Sequence, residues 1–349
     1  MKNKKSNIKD VAKKAGISAT TVSAYLNKSA PVNVKTAKRI KEAIEELNYK
    51  PNLIARSLKQ KRSKTLGFVF PDIENPFFIR LIKKAEEIAY NRGYNVTLCI
   101  SENNAEKEKK YLEMLKGKLV DGYIVIPTSS IRSEEYSLLL DGENVVFIDR
   151  YSHIKNEVCV KLDNVLGSKL AIKYLISLGH KRIGIVNIPL EITPGIERFE
   201  GYKITLKENK IKFDPDLVKF ADYSIKGSYQ KTKELLALDE KPTAIFSTGI
   251  MTSVGALKYL RESNINIPDE ISFISFDDLY DYSELLRFKP TIIKQPVEKI
   301  AESAIGILLK KIANKKIKNR NIIIEPEILI ESSCMEVNES TPITANKIQ

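Results

Sequence analysis

From Leu66 onward, short apolar runs alternate with amphipathic stretches, and the alternation occurs twice over. That rhythm restricts most of the chain to parallel sheets covered by helices. Leu66-Gly67-Phe68-Val69-Phe70 is an apolar run that stops at Pro71-Asp72; apolar residues then recur at helical spacing over residues 77–92, and Gly93 supplies the stop. Residues 95–100 read as a second buried strand, 105–116 as a helix, and 123–126, 145–148 and 158–162 as further strands, before a helix over 165–178 that ends at Gly179. The pattern restarts at Arg182-Ile183-Gly184-Ile185-Val186. It continues through helices near 195–209, 227–237 and 251–261, with strands at 244–246 and 271–275. Two similar α/β halves are implied, and a ligand between them would sit at the carboxyl ends of the strands.

The first 64 residues break this rhythm and carry the charge. They hold 17 Lys and Arg against 4 Asp and Glu, a net of +13, which equals the formal net charge of the whole chain. A basic block of this kind is the footprint of a polyanion-binding module, because neutralising phosphates releases condensed counterions. Ile8, Val11, Ala12 and Ala15 recur at helical spacing and Gly16 follows where a helix would stop in a left-handed turn. Ser18 is a good N-cap for a second helix, with Val22, Tyr25 and Leu26 facing inward and Ala19, Thr20, Ser23 and Ala24 facing out. Val34, Ala37, Ile40, Ile44 and Leu47 mark a third helix. Two short helices joined by a glycine turn, the second with a small polar outer face, form a helix-turn-helix able to enter a major groove. Beyond Pro51, Asn52 can cap a short helix over residues 53–60, too short to be stable unless something packs on it.

The chain resembles the LacI/GalR transcriptional regulators through Ile8-Lys9-Asp10-Val11-Ala12-Lys13-Lys14-Ala15-Gly16-Ile17-Ser18, Thr21-Val22-Ser23, Leu26-Asn27, Ala43-Ile44-Glu45-Glu46-Leu47-Asn48-Tyr49, Pro51-Asn52 and Ala55-Arg56-Ser57-Leu58. The match continues through Asn75-Pro76-Phe77-Phe78, Val120-Asp121-Gly122, Phe147-Ile148-Asp149-Arg150, residues 178–184, Glu197-Arg198-Phe199-Glu200-Gly201-Tyr202 and Phe276-Asp277, so that it spans about residues 7–335. The resemblance implies an α/β chain with an all-α helix-turn-helix domain at 1–50, a hinge helix and linker at 51–64, and a two-lobed periplasmic-binding-protein-like effector domain at 65–337. Its N-lobe would comprise about 65–162 and 294–322, its C-lobe about 163–293 and 323–337, with a polar tail at 338–349.

By resemblance, Ala19, Thr20 and Ala24 face bases, Thr21 and Ser23 bond phosphates, and Asn27 joins the DNA-binding set. From the hinge, Asn52, Ala55, Arg56, Leu58 and Lys59 would contact the minor groove, with Leu58 as a wedge between base steps. Ala24 replaces the longer residue usual in the family, and a methyl group can only touch thymine or leave space. For the effector, Arg198 brings a fork of donors, Asp149 and Asp277 bring acceptors, and Phe77 or Phe78 can stack on a sugar face. Thr248-Gly249-Ile250 stands where relatives commonly carry an amide and an acid. With Arg150 and Arg198 nearby, the pocket is expected to tilt cationic and to suit a sugar acid or sugar phosphate.

The expected protein is a cytoplasmic homodimer that binds a pseudopalindromic DNA operator and represses a carbohydrate-utilisation operon until a carbohydrate-type effector releases it. An activator or corepressor-dependent regulator, and a solute-binding protein for sugar transport, are the alternatives. No apolar run approaches the ~18 residues that span a bilayer. Phosphate-loop, nucleophile-elbow and zinc-helix motifs are absent, so no enzyme, cofactor or metal is expected. Of the two histidines, His180 follows a helix-stopping glycine and is expected to cap that helix. Cys99, Cys159 and Cys334 are too scattered for a disulfide framework.

Overall fold

The computed structural model describes residues 6–27, 30–50, 62–129, 133–150, 157–279 and 286–337, in two compact units that divide between Ser63 and Lys64. The first unit holds α1 (Ile8–Ala15), α2 (Ala19–Asn27) and α3 (Val34–Glu46). A capping box starts α1: the Asn7 side chain accepts from the backbone N–H groups of Lys9 and Asp10, and the Asp10 carboxylate accepts from that of Asn7. Gly16 ends it at φ 64°, and a Cβ there would also come within 2.6 Å of the Arg39 guanidinium. Ser18 Oγ accepts from the Thr21 N–H at 3.1 Å and caps α2. Val11, Ala12, Ala15, Val22, Ile40 and Ala43 form the buried core. Val34 opens α3 but is 84% exposed, because six positions separate it from Ile40, about 240° around the helix; Val32 packs on the core instead. One expectation fails here. Ala19 is half-buried against the same core and does not face fully outward.

The second unit contains two six-stranded sheets. The first is ordered β11-β5-β4-β3-β1-β2 and contains β1 (Thr65–Phe70), β2 (Asn95–Ile100), β3 (Gly122–Val125), β4 (Val145–Ile148), β5 (Val158–Leu162) and β11 (Asn321–Ile324). The second is ordered β12-β10-β9-β8-β6-β7 and contains β6 (Ile183–Asn187), β7 (Val218–Phe220), β8 (Ala244–Ser247), β9 (Ser272–Phe276), β10 (Thr291–Lys294) and β12 (Glu327–Leu329). Among the described residues every pairing is parallel except β10 with β12. The helices are α4 (Pro76–Asn91), α5 (Ala105–Gly117), α6 (Ser133–Leu139), α7 (Asn164–Ser177), α8 (Thr193–Glu208), α9 (Ile225–Leu236), α10 (Ile250–Glu262) and α11 (Val297–Ile312).

The chain crosses between the sheets three times, after β5, after β10 and after β11. Helix α11 packs on α4, β3 and β4 of the first half and leads into β11, which pairs with β5. The first-half strand runs to Ile324, two residues past the sequence expectation. Strand β2 is not buried: it lies at the sheet edge, and Cys99 is its one buried residue. Strands β3, β4, β6, β8 and β9 are buried throughout, as strands covered on both faces by helices must be. The three cysteines are free.

Candidate functional site

The two halves repeat one arrangement. Strands β4 and β9 take the same place in their sheets, and each ends in an aspartate with left-handed backbone, Asp149 at φ 61° and Asp277 at φ 85°. Aspartate tolerates this conformation better than most residues, because its short side chain can hydrogen-bond locally. Both carboxylates are buried in the wall of a cavity of about 150 Å³ at the carboxyl ends of the strands. Opposite them stands Arg198, from the second turn of α8. Its Nε donates to Asn164 Oδ1 at 2.8 Å and one Nη to the Thr248 carbonyl at 2.7 Å, while the guanidinium carbon lies 3.7 Å from the Phe276 ring centroid. The same nitrogen is 3.9 Å from the Asp277 carboxylate, and the Gln295 amide donates to Asp277.

Burial sets the protonation energetics. It pushes the carboxyls of Asp149 and Asp277 above the usual range, and Arg198 is the chief group pulling both back. Burial likewise lowers the Arg198 guanidinium, against the pull of Asp277 and Asp149.

Arg150 forms the other cationic wall. One of its nitrogens donates to Asn103 Oδ1 at 3.2 Å and lies 3.4 Å from the carbonyls of Pro127 and Thr128. Behind it, Glu108 accepts from the Thr128 N–H and the Tyr136 hydroxyl; burial raises this carboxyl despite those bonds. The lining corrects the expected cationic balance. Asp72, Glu74, Asp149, Asp222 and Asp277 line the cavity against Arg150 and Arg198, so that acids outnumber bases among the lining residues. The missing amide and acid near Thr248 are outnumbered by loop carboxylates that carry no motif.

In the first unit, α2 presents Thr20 exposed and Thr21, Ser23, Ala24 and Asn27 half-buried. The Thr21 hydroxyl is 2.9 Å from Ser18 Oγ, and Asn27 donates to Ser23 Oγ at 3.2 Å. Lys9, Lys13, Lys14, Lys35, Lys38, Arg39 and Lys41 are exposed around this three-helix core. The surface of this unit is rich in cations, and α2 carries small side chains that allow close approach to a groove.

Residues 7–52 match the family described as bacterial regulatory proteins, lacI family, and residues 172–334 match a periplasmic binding protein-like domain. The HTH-type transcriptional repressor PurR of Histophilus somni is 34% identical over 328 residues, 93% of this chain and 98% of that one. The chain belongs to the lacI family. The HTH-type transcriptional regulator RegA of Clostridium saccharobutylicum is 35% identical over 332 residues, covering 94% of this regulator and 98% of RegA. Among solved structures, the lac repressor dimer bound to operator and the anti-inducer ONPF superposes with a TM-score of 0.84 at 23% identity, covering 95% of this chain and all of that one. A LacI family regulator from Enterococcus faecium with bound ribose superposes at 0.69 and 27% identity, covering 78% of this chain and all of that one.

This lacI-family member is therefore a DNA-binding transcriptional regulator. The cleft brings together all six sequence-selected effector residues, Phe77, Phe78, Asp149, Arg150, Arg198 and Asp277. Asn52, Ala55, Arg56, Leu58 and Lys59 lie outside the described residues. Sequence reasoning missed Tyr223, Gln295 and Asn103, which lie in segments with no periodicity to mark them. His180 does more than cap α7. Its backbone N–H bonds Leu175, but its ring is bonded to the hydroxyls of Thr243 and Ser272 and to the Met335 carbonyl, tying the C-terminal segment to the second sheet. Among the described residues no helix is long and apolar enough to cross a membrane, and no cluster of three or more metal-type ligands occurs.

Proposed function

We propose that this chain is a homodimeric repressor that holds a pseudopalindromic operator and releases it when a small, neutral, hydroxyl-rich effector closes the cleft. The observation that carries this reading is the convergence of Asp149 from the first half with Arg198 and Asp277 from the second on one cavity. A ligand touching all three gains contacts only when the halves are together, and that differential affinity is what shifts a two-state equilibrium. Carboxylates accept from hydroxyls and guanidiniums donate to them, while the excess of acids disfavours phosphate or carboxylate ligands. The ribose named with the Enterococcus faecium structure fits the same chemistry, and the repressor names of the relatives support the direction of control. The operator contacts we assign to α2 are those of Ala19, Thr20 and Ala24 with bases and Thr21, Ser23 and Asn27 with the backbone. To the hinge contact we assign Asn52, Ala55, Arg56, Leu58 and Lys59.

A thermal-shift screen of neutral sugars and polyols, sugar acids and sugar phosphates tests the effector class. Neutral compounds are expected to raise the midpoint and to release operator in a mobility-shift assay; hits confined to anions would reject the class. Leu58→Ala is expected to weaken operator binding and reduce DNA bending with effector affinity unchanged. Full affinity and bend angle in that variant would reduce the hinge to a linker.

A further inference from the structure

A guanidinium fills part of the cleft that aromatic rings would otherwise offer to a ligand. Arg150, which follows β4, and Phe78, on α4, both belong to the first half, whereas Tyr223 follows β7 in the second. The Arg150 guanidinium carbon lies 5.7 Å from the Phe78 ring centroid and 5.4 Å from that of Tyr223, so one cation faces a ring from each half. Both distances fall inside the ~6 Å range in which a cation is drawn to a ring face, and the planar guanidinium is the cation best shaped for it. The group is also anchored. Its Nη bonds to Asn103 and two carbonyls hold it from the first half, and Arg150 is 3% exposed. Among the described residues its Nε is buried without a hydrogen-bond partner. A buried N–H left unpaired is costly, so a ligand oxygen that satisfies it gains accordingly.

We propose that Arg150 is the specificity-determining residue of the cleft: it keeps a flat heteroaromatic ring out of the space between Phe78 and Tyr223 and offers its free Nε–H to an oxygen of a saturated, hydroxyl-bearing ligand. The proposal rests on reading the cleft as the effector site. A flat ring gains most by stacking between aromatic faces, and the Arg150 side chain already occupies that position. A saturated ring needs one apolar face and several hydrogen bonds. Phe77 or Phe78 supplies the first, and Asp149, Asp277, Arg198 and Arg150 supply the rest.

The test is a set of calorimetric titrations of the full chain with adenine and hypoxanthine as flat probes and with ribose and glucose as saturated ones. They are run on the native protein, on Arg150→Ala and Arg150→Gln, and on Arg150→Ala combined with Tyr223→Ala. Neither base is expected to bind the native chain. Arg150→Ala is expected to gain at least about ten-fold in affinity for the bases, and the gain is expected to disappear when Tyr223 is also removed. Arg150→Gln, which keeps an amide near Asn103 but no guanidinium, is expected to gain in the same direction and decides the matter if the Ala variant does not fold. Base binding by the native chain overturns the proposal. So does the absence of any gain in variants that keep the native circular dichroism and cooperative unfolding. The two saturated probes are scored separately: a native chain that binds other neutral polyols in the screen but excludes bases, with no gain in the variants, loses the role of Arg150 and keeps the effector class.

Discussion

Arg198 is held on three sides, by Asn164, by the Thr248 carbonyl and by the face of Phe276, and the nitrogen that bonds Thr248 also approaches Asp277. Lysine keeps the charge but cannot reproduce the fork, so Arg198→Lys loses at least one charge-assisted bond, worth about 1.5–3 kcal/mol. Effector affinity is expected to fall by ten-fold or more, about 1.4 kcal/mol, with operator binding retained; an unchanged inducer response in calorimetry and mobility-shift assays would remove Arg198 from the site. His180 offers a second residue-scale test. Burial pushes its imidazole below the ordinary 6.5, so the native ring is neutral. The unfolded chain takes up the proton at higher pH than the native state does. The stability that the neutral ring supplies is therefore fully present above pH 6.5 and is lost as the pH falls through the lower native value. His180→Gln is expected to flatten the acid side of a calorimetric midpoint-against-pH curve for the second unit. An acid limb as steep as that of the native chain would assign that dependence to other groups.

At the scale of elements, caps and stops explain where helices begin and end. Asn7→Ala removes the side-chain half of the α1 capping box, the oxygen that accepts from Lys9 and Asp10, while the backbone N–H of residue 7 keeps its bond to Asp10, and it is expected to weaken that helix by about 1 kcal/mol. Amide exchange over residues 8–15 of the full chain measures it, and unchanged protection would mean that tertiary packing alone holds α1. The same devices made α1 and α2 legible in the sequence, through Gly16 and Ser18, just as unbroken apolar runs marked β1 and β4. Strands β7, β10, β11 and β12 have three or four residues each, too few for a two-residue period to register. Edge strand β2 carries Val96, Leu98, Cys99 and Ile100, which mimics a buried strand; only its place in the sheet leaves Leu98 exposed. The cleft was half legible. Arg198 and the two strand-end aspartates follow recognisable strands and helices, whereas Asp72, Glu74, Asp222 and Tyr223 sit on loops and become neighbours only through the tertiary fold.

At the scale of the molecule, the sequence separates two kinds of surface. All of the net charge of +13 lies in the first 64 residues, and the remainder is neutral. The neutral part repeats one sheet plan twice and threads three crossings between the copies, which suits halves that open and close on a ligand. The cationic part suits phosphates. The measurement closest to the central claim is a salt titration of the full chain on a duplex selected from a random-sequence pool. Enrichment of a pseudopalindrome is expected, and its affinity should fall with salt along a log-log line whose slope is about −0.9 for each phosphate neutralised, several units in all. Failure to enrich any sequence, or an affinity that does not change with salt, would contradict DNA binding by the basic unit.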